Sequence, residues 1–357
     1  MSSTFIISDN GGNLTKEIGK NSPVFIIAEI GSTHCASLET AILLINVAKA
    51  ANVNCVKFQK RDVETLLTKV EKERKYKSKN AMAITYGDHR KVMEFSEDDF
   101  KTLKQEANRL GLFFTASGWD KKSIDFLDEL DVPFIKVASA DLTNLPLLEY
   151  IAKKKKPIFL STGMCNMTDV QIAYDTIMKH ENRIVLLQCT SSYPAPYAEI
   201  NLNVINSYKK LFPETVLGYS GHEIGVIVPC SAVALGATVI EKHFTLNKDA
   251  VGSDHKTALD LTELGNLVNN IRITEKTLGS YEKEIQPSEQ PCIRKLCKSV
   301  TSLLDIKKGT IITEDMITTK SPCDGLPANL FYETIGKVTK RDIPEDTTLQ
   351  KDDIIFD

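Results

Sequence analysis

Eight short, β-rich apolar runs, each followed by a longer stretch with helical periodicity, constrain this chain more than any other feature. The runs fall at 24–28, 55–58, 112–115, 134–137, 157–160, 184–187, 216–219 and 238–240. Helical patterns follow at 37–51, 97–110, 120–130, 145–153, 168–179, 202–211, 226–235 and 261–278. Continuous apolar runs of this kind are the mark of parallel strands covered on both faces. Eight strand–helix units predict an α/β fold, a closed (β/α)8 barrel. The rival, an open doubly wound sheet, would bring a G-x-G-x-x-G turn after the first run in its dinucleotide-binding form, and none is present. After Gly279 the pattern changes to a Pro-containing connector, then to short strands and turns at 299–301, 308–310 and 336–338. This predicts a barrel domain over 1–285, a linker over 286–297 and a small α+β domain over 298–357. A module that small is expected to pack on a barrel, its own or a partner's. The charged stretch 61–96 reads as a long loop, either a substrate-binding wall or a solvated excursion.

The bulk numbers exclude several classes. The formal net charge is −3 over 357 residues, so no global basic field recruits nucleic acid or a membrane surface. An anionic ligand must therefore be held by local cations. No apolar run approaches the ~18 residues that span a bilayer. The polar start, with Asp9, Lys16, Glu17 and Lys20, does not read as a secretory signal. Eight cysteines without a C-x-x-C pair read as reduced thiols in a cytoplasmic protein.

In a parallel barrel the site forms where strands end, and all eight runs end in polar groups. Glu29 ends the first. Lys57 and Gln59 lie in and after the second, Ser117 after the third. Lys136 lies in the fourth, with Ser139 and Asp141 beyond. Ser161 ends the fifth, Gln188 to Tyr193 the sixth, Ser220 to His222 the seventh, and Glu241 and His243 the eighth. Burying an unpaired ammonium is costly, so Lys57 and Lys136 call for an anion that the barrel itself is not expected to supply. The hydroxyls of Ser117, Ser139, Ser161, Ser191 and Ser220 can donate to the same anion. His222 and His243 end neighbouring runs, a spacing that suits a divalent-metal site completed by oxygen ligands. Glu29 either works on substrate or pairs structurally with Lys57. His34 reads as support for the metal pair, His255 as a neighbour of the eighth-run loop, and His89 and His180 as incidental.

Several stretches carry a family likeness: Ile26-Ile27-Ala28-Glu29-Ile30-Gly31, Val56-Lys57-Phe58-Gln59-Lys60, Phe114-Thr115-Ala116-Ser117-Gly118, Lys136-Val137-Ala138-Ser139 and Leu160-Ser161-Thr162-Gly163-Met164. So do Gln188 to Pro194, Gly218-Tyr219-Ser220-Gly221-His222-Glu223, Glu241-Lys242-His243-Phe244 and Gly252-Ser253-Asp254-His255. In this order they cover nearly the whole barrel and resemble the sialic acid synthase family. The tail from 298 resembles that family's small antifreeze-like (SAF) domain. The resemblance implies phosphoenolpyruvate bound by Lys57, Lys136 and the five serines named above. It implies a divalent cation, manganese or magnesium, on His222 and His243, and Glu29 at the reacting centre. Gln59, Asp141, Tyr193 and Asp254 match sugar- or water-binding positions. The co-substrate implied is N-acetylmannosamine or its 6-phosphate, with a diacetamido hexose as the alternative. A cationic pocket for a 6-phosphate would draw on Lys75, Lys77, Lys79 or Arg90. A head-to-tail homodimer is also implied, each small domain covering the other barrel. The chain departs from the family in Ser191 for a common Asn, in Gly221 for an Asp frequent in bacterial members, and in Lys320-Ser321-Pro322, which lacks an Arg after the Lys. A metal-dependent aldolase is the rival chemistry for the same barrel mouth.

Overall fold

Before the barrel begins, the chain folds a hairpin that closes one end of it. In the computed structural model, which describes residues 4–78 and 80–355, β1 (Thr4–Asp9) and β2 (Leu14–Gly19) pair antiparallel. The turn between them contains Gly11 and Gly12, both at positive φ. Sequence reading missed this hairpin. Eight parallel strands then close on themselves: β3 (Phe25–Glu29), β4 (Cys55–Lys60), β5 (Phe113–Gly118), β6 (Ile135–Val137), β7 (Ile158–Ser161), β8 (Ile184–Cys189), β9 (Val216–Gly221) and β10 (Val239–His243). β10 pairs with both β9 and β3, which completes the expected (β/α)8 barrel.

Around the strands run α1 (Leu38–Ala50), α2 (Val63–Leu66), α3 (Lys69–Glu73), α4 (Tyr86–Met93), α5 (Glu97–Arg109), α6 (Lys121–Glu129), α7 (Leu145–Lys153), α8 (Met167–Met178), α9 (Val204–Leu211), α10 (Ile227–Ala234) and α11 (Leu261–Leu278). Ser37, Ser96, Asp120, Asn166 and Asp260 accept backbone N–H bonds at the starts of α1, α5, α6, α8 and α11. The stretch 61–96 is not the open loop expected. It folds into α2, α3 and α4, with Asp62, Thr68 and Thr85 as caps. Helices this short and charged leave little hydrophobic periodicity to read.

Side chains alternate along each strand, and that alternation divides the barrel. Ile26, Ala28, Val56, Phe58 and their outward equivalents pack under the helices. Phe25, Ile27, Cys55, Phe113, Phe134, Phe159, Val185, Leu187, Val216 and Val239 form a separate inner core with Ile7 and Ile18 of the hairpin. Phe134 and Phe159 stack at 3.9 Å, and Phe25 meets Phe113, Phe134 and Phe159 edge-on. Gly218 is required where β9 nears β10, because a Cβ there would sit 2.5 Å from the Val239 carbonyl oxygen. Asp9 fixes the hairpin by pairing with Lys104 at 3.0 Å. The lower barrel is therefore solid, and polar chemistry is confined to the opposite mouth.

The chain divides into compact units after Gly279, earlier than the boundary at 285 that the sequence suggested. The stretch read as a linker contains α12 (Gln290–Leu296). The second unit pairs β11 (Ser299–Ser302) with β12 (Ile317–Lys320), carries α13 (Phe331–Thr334), and pairs β13 (Val338–Thr339) with β14 (Ile354–Ile355). Its core holds Val300, Ile306, Ile312, Ile317, Leu326, Ile343, Leu349 and Ile354. The strand expected at 308–310 is instead a turn, with Gly309 at φ 83°. Among the described residues, no helix is long and apolar enough to cross a membrane.

The hairpin plug gives the first prediction. Ile7→Ala removes a side chain that is 1% exposed and should cost about 2–4 kcal/mol. Urea unfolding followed by circular dichroism measures this. A change below about 0.5 kcal/mol would mean the hairpin does not seal the barrel.

Candidate active site

The same alternation that fills the lower barrel with aromatic rings lines its mouth with polar groups. One register step above the apolar layer, each strand turns inward Glu29, Lys57, Ser117, Lys136, Ser161, Cys189, Ser220 or Glu241. All eight line one cavity, with Gln59, Ser139, Ser191, Tyr193, His222 and His243 around its upper wall. Trp119 and Met164 also line it, and sequence reading did not single them out.

The charges are shared between strands. Lys57 Nζ lies 2.6 Å from Glu29 Oε2 and 3.8 Å from Glu241 Oε1, and it donates to Ser117 Oγ at 3.1 Å. Lys136 Nζ donates to Ser161 Oγ at 2.7 Å and to the Val137 carbonyl at 3.0 Å, and lies 3.8 Å from Glu241 Oε1. Ser220 donates to the same Glu241 oxygen at 3.1 Å. The barrel thus does supply anions for its lysines, which corrects the expectation that only a ligand could. Glu241 was missed as a functional residue because its contacts depend on β10 closing back onto β3 and β9, which no local pattern reveals.

The compensation is incomplete. Burial pushes the Glu29 carboxyl up to about 7, and Lys57 opposes that only in part. Burial also works against the charge on Glu241, yet Lys136, Lys57 and His243 together hold its carboxyl below the usual range. For Lys57, burial is outweighed by Glu241 and Glu29, which raise its ammonium. For Lys136, burial wins and lowers it. Burial thus works against the charge on Glu29 and on Lys136, the two ends of the set.

The imidazoles meet the requirements of a cation site. Their ring centroids are 5.6 Å apart. Metal–nitrogen bonds of about 2.1 Å would put two rings on one ion roughly 4.5–6.5 Å apart. His222 Nδ1 lies 3.0 Å from the Thr190 carbonyl oxygen, so it carries the proton and leaves Nε2 with its lone pair. His243 Nδ1 is buried with no hydrogen-bond partner, as is Glu241 Oε2. Burial lowers the His243 pKa to about 4, so the ring is neutral at neutral pH. Among the described residues no group of three His, Cys, Asp or Glu side chains could hold a metal ion. Any cation on this pair must complete its shell with water or substrate oxygens.

A buried triad supports His222. Lys242, on the outward face of β10, pairs with Glu223 Oε1 at 2.9 Å, and the Tyr219 hydroxyl donates to Glu223 Oε2 at 2.5 Å. Gly221 leaves room for this carboxylate, since a Cβ there would come 2.5 Å from Glu223 Oε2. Glu29 Oε1 accepts from Gln59 Nε2 at 3.0 Å. Gln59 in turn accepts from Arg61, which stacks 4.4 Å from the Trp119 ring. Ser139 Oγ accepts the Gly163 N–H at 2.9 Å.

Two expected site residues stand apart. Asp141, in a turn of 3-10 helix after β6, does not line the cavity and accepts from Asn144 at 3.1 Å. Asp254 lies behind the wall, where it accepts from the Ser32 N–H at 3.1 Å and from Ser32 Oγ at 2.7 Å. His34 does not support the metal pair. Its ring packs 4.3 Å from Phe95, and its Nδ1 accepts the Ala36 N–H at 3.1 Å. His255 joins Thr245 at 2.7 Å, and His180 lies 3.5 Å from Glu149. In the second unit, Lys320 pairs with Asp346, and Ser321 donates to the Leu296 carbonyl at 3.1 Å.

A closed barrel whose mouth gathers two lysines, two carboxylates and two imidazoles in one cavity defines an enzyme of the (β/α)8 class. The NeuB family matches residues 44–283, and the SAF domain matches residues 298–355. Over 336 residues the chain is 42% identical to the N-acetylneuraminate-9-phosphate synthase of Homo sapiens, with 94% of each chain covered. It is 37% identical to the N,N'-diacetyllegionaminic acid synthase of Legionella pneumophila, covering 94% of this chain and 96% of that one. A crystal structure of the N-acetylneuraminic acid (sialic acid) synthetase of Leptospira borgpetersenii, in complex with citrate, superposes with a TM-score of 0.71 at 32% identity. That superposition covers 82% of this chain and 96% of the other. The chain belongs to the NeuB family, the sialic acid synthases that its motifs resemble, and its relatives are carbon–carbon-forming synthases.

His34 yields a pH prediction. Burial lowers its folded pKa to about 4, below the unfolded value of about 6.5. The unfolded chain therefore binds the extra proton between these values. Stability is fully present above about pH 6.5 and falls as pH drops toward 4, by roughly 3 kcal/mol from this residue. In His34→Gln, urea unfolding at pH 7 and pH 4.5 should show a smaller difference than in the parent protein. An equal difference would contradict the assignment.

Proposed function

We propose that this barrel condenses phosphoenolpyruvate with N-acetylmannosamine or its 6-phosphate, giving N-acetylneuraminate or its 9-phosphate together with inorganic phosphate. The observation that carries the reading is the pair Lys57 and Lys136, buried on one cavity and sharing Glu241 at 3.8 Å. The named activity of the human relative and the citrate held by the Leptospira relative support it.

In this reading Lys57 and Lys136 bind the phosphate and carboxylate of phosphoenolpyruvate. Ser117 and Ser161, already on the two ammonium groups, orient them, and Ser139, Ser191 and Ser220 add hydroxyls. Carbon 3 of the enol attacks the aldehyde carbon of the open-chain sugar and forms the new carbon–carbon bond. The oxygen of a water adds at carbon 2, and the bond from carbon 2 to the phosphate oxygen breaks. One water proton ends on the former aldehyde oxygen and the other leaves with phosphate, so the atoms balance. Glu29, oriented by Gln59, holds or moves the proton at this centre. Tyr193 closes the sugar side. His222 and His243 would hold a divalent cation, manganese or magnesium, which would supply Lewis-acid chemistry to the aldehyde. The reading carries with it a cytoplasmic setting and the family's head-to-tail homodimer.

A second reading takes a diacetamido hexose to a legionaminate-type product, and the Legionella relative favours it. Phosphate release with phosphoenolpyruvate, manganese and each of the three sugars separates these readings. Lys136→Ala and His243→Ala should each lose at least about 100-fold in turnover, with unchanged circular dichroism. Rates near the parent value in either variant would refute its role. Release equally fast without any sugar would refute the condensation itself.

A further inference from the structure

The row Lys57, Gln59, Arg61 runs up β4 and one residue past its end. Side chains two apart share one face of a strand, so the row climbs from the barrel interior toward its rim. Lys57 lies 2.6 Å from Glu29 Oε2, and Gln59 Nε2 donates to Glu29 Oε1 at 3.0 Å. Glu29 is therefore gripped at both carboxylate oxygens. Arg61 in turn donates through Nη2 to Gln59 Oε1. The sequence did not single out Arg61, although it is 8% exposed. Of the insert cations it did offer, Lys75 and Lys77 are exposed, Arg90 donates to the Tyr86 hydroxyl at 2.9 Å, and Lys79 falls outside the described residues.

Arg61 is itself held from several sides. Its backbone N–H donates to Glu94 Oε2 at 2.9 Å, and its Nη1 donates to Glu94 Oε1 at 3.3 Å. Its guanidinium lies 4.4 Å from the Trp119 ring. Lys60 lies 3.9 Å from Glu94 Oε2, which anchors that carboxylate further. A guanidinium donates and never accepts. It therefore takes the oxygen of the Gln59 amide and leaves the amino group for Glu29. The amide is tied at both ends, and a glutamine side chain otherwise has several torsions free to wander. Arg61 does not line the cavity, whereas Gln59 does. Any effect of Arg61 on turnover must run through its neighbours, and Gln59 is the one that reaches Glu29.

We propose that Arg61 is a positioning residue: it pins the Gln59 amide, so that Gln59 and Lys57 together fix the plane of the Glu29 carboxylate. The inference rests on the condensation reading, which places Glu29 at the reacting centre. The planar fork of arginine suits the task, since it reaches Glu94 with one nitrogen and Gln59 with another. A misplacement of about 1 Å at a reacting group can cost on the order of 100-fold in rate, so a loosened Gln59 is felt in turnover.

The test is a double-mutant cycle on phosphate release, with Arg61→Met made in the full chain and in Gln59→Met. In the parent background Arg61→Met should lower kcat roughly 10- to 100-fold and leave KM for phosphoenolpyruvate unchanged. In the Gln59→Met background the same change should cost less than about 2-fold, because the group it acts through is gone. Arg61→Lys keeps a cation for Glu94 but lacks the fork. It should lose less than Arg61→Met, and that loss too should vanish beside Gln59→Met, which decides the matter if Arg61→Met lowers the melting temperature. An equal factor in both backgrounds, or no loss in either, would overturn the positioning role. A crystal structure of Arg61→Met gives a readout without turnover: Gln59 Nε2 should leave hydrogen-bond distance of Glu29 Oε1. An amide still seated on Glu29 would overturn the proposal. No phosphate release by the parent with any sugar would remove the condensation reading, while the crystal structure would still decide whether Arg61 seats Gln59.

Discussion

The barrel mouth is organised by one buried chain of charge, Glu29–Lys57–Glu241–Lys136, which crosses from β3 to β4, then to β10 and β6. Burying four ionisable groups is costly unless each finds a partner. Glu241 bears most of that load by lying 3.8 Å from both ammonium groups and accepting from Ser220. The arrangement works only because water is kept out below. Phe25, Phe113, Phe134 and Phe159 fill the next layer down, and Ile7 and Ile18 of the N-terminal hairpin close the bottom. The packing that stabilises the barrel therefore also sets the low-dielectric floor that gives the charges their strength.

The balance of that chain explains why it suits an anion without being an empty positive hole. Glu29, pushed up to about 7, is the member that yields. Burial opposes its charge, and its hydrogen bond from Gln59 holds it in place. Beside it, His243 is kept neutral by burial and His222 is oriented by a backbone carbonyl. Lysines suited to an anion and imidazole nitrogens suited to a cation thus coexist at one barrel mouth. The Lys242–Glu223–Tyr219 triad on the outer face keeps the turn bearing His222 from shifting.

Much of this was legible in the sequence. Parallel strands covered on both faces give continuous apolar runs, so the eight units and their polar termini could be placed. The lysines, serines and histidines then followed from the rule that barrel strands end at the site. Glu241 was not legible as a partner, because its neighbours are set by closure of β10 onto β3, a contact between the ends of the barrel sequence. The insert 61–96 was misread because its helices are short and charged. The hairpin did leave a signal, Asn10-Gly11-Gly12 between alternating residues, but it lies in a polar stretch that was read only for targeting.

The account stands on Lys57 and Lys136 acting together on one anion. A crystal structure with phosphoenolpyruvate bound tests this most directly. The account predicts ligand oxygens within hydrogen-bond distance of both Nζ atoms, with Ser117 and Ser161 beside them. Phosphoenolpyruvate seated elsewhere, with the Lys57–Glu29 and Lys136–Ser161 contacts unchanged and no ligand oxygen at either lysine, would contradict it.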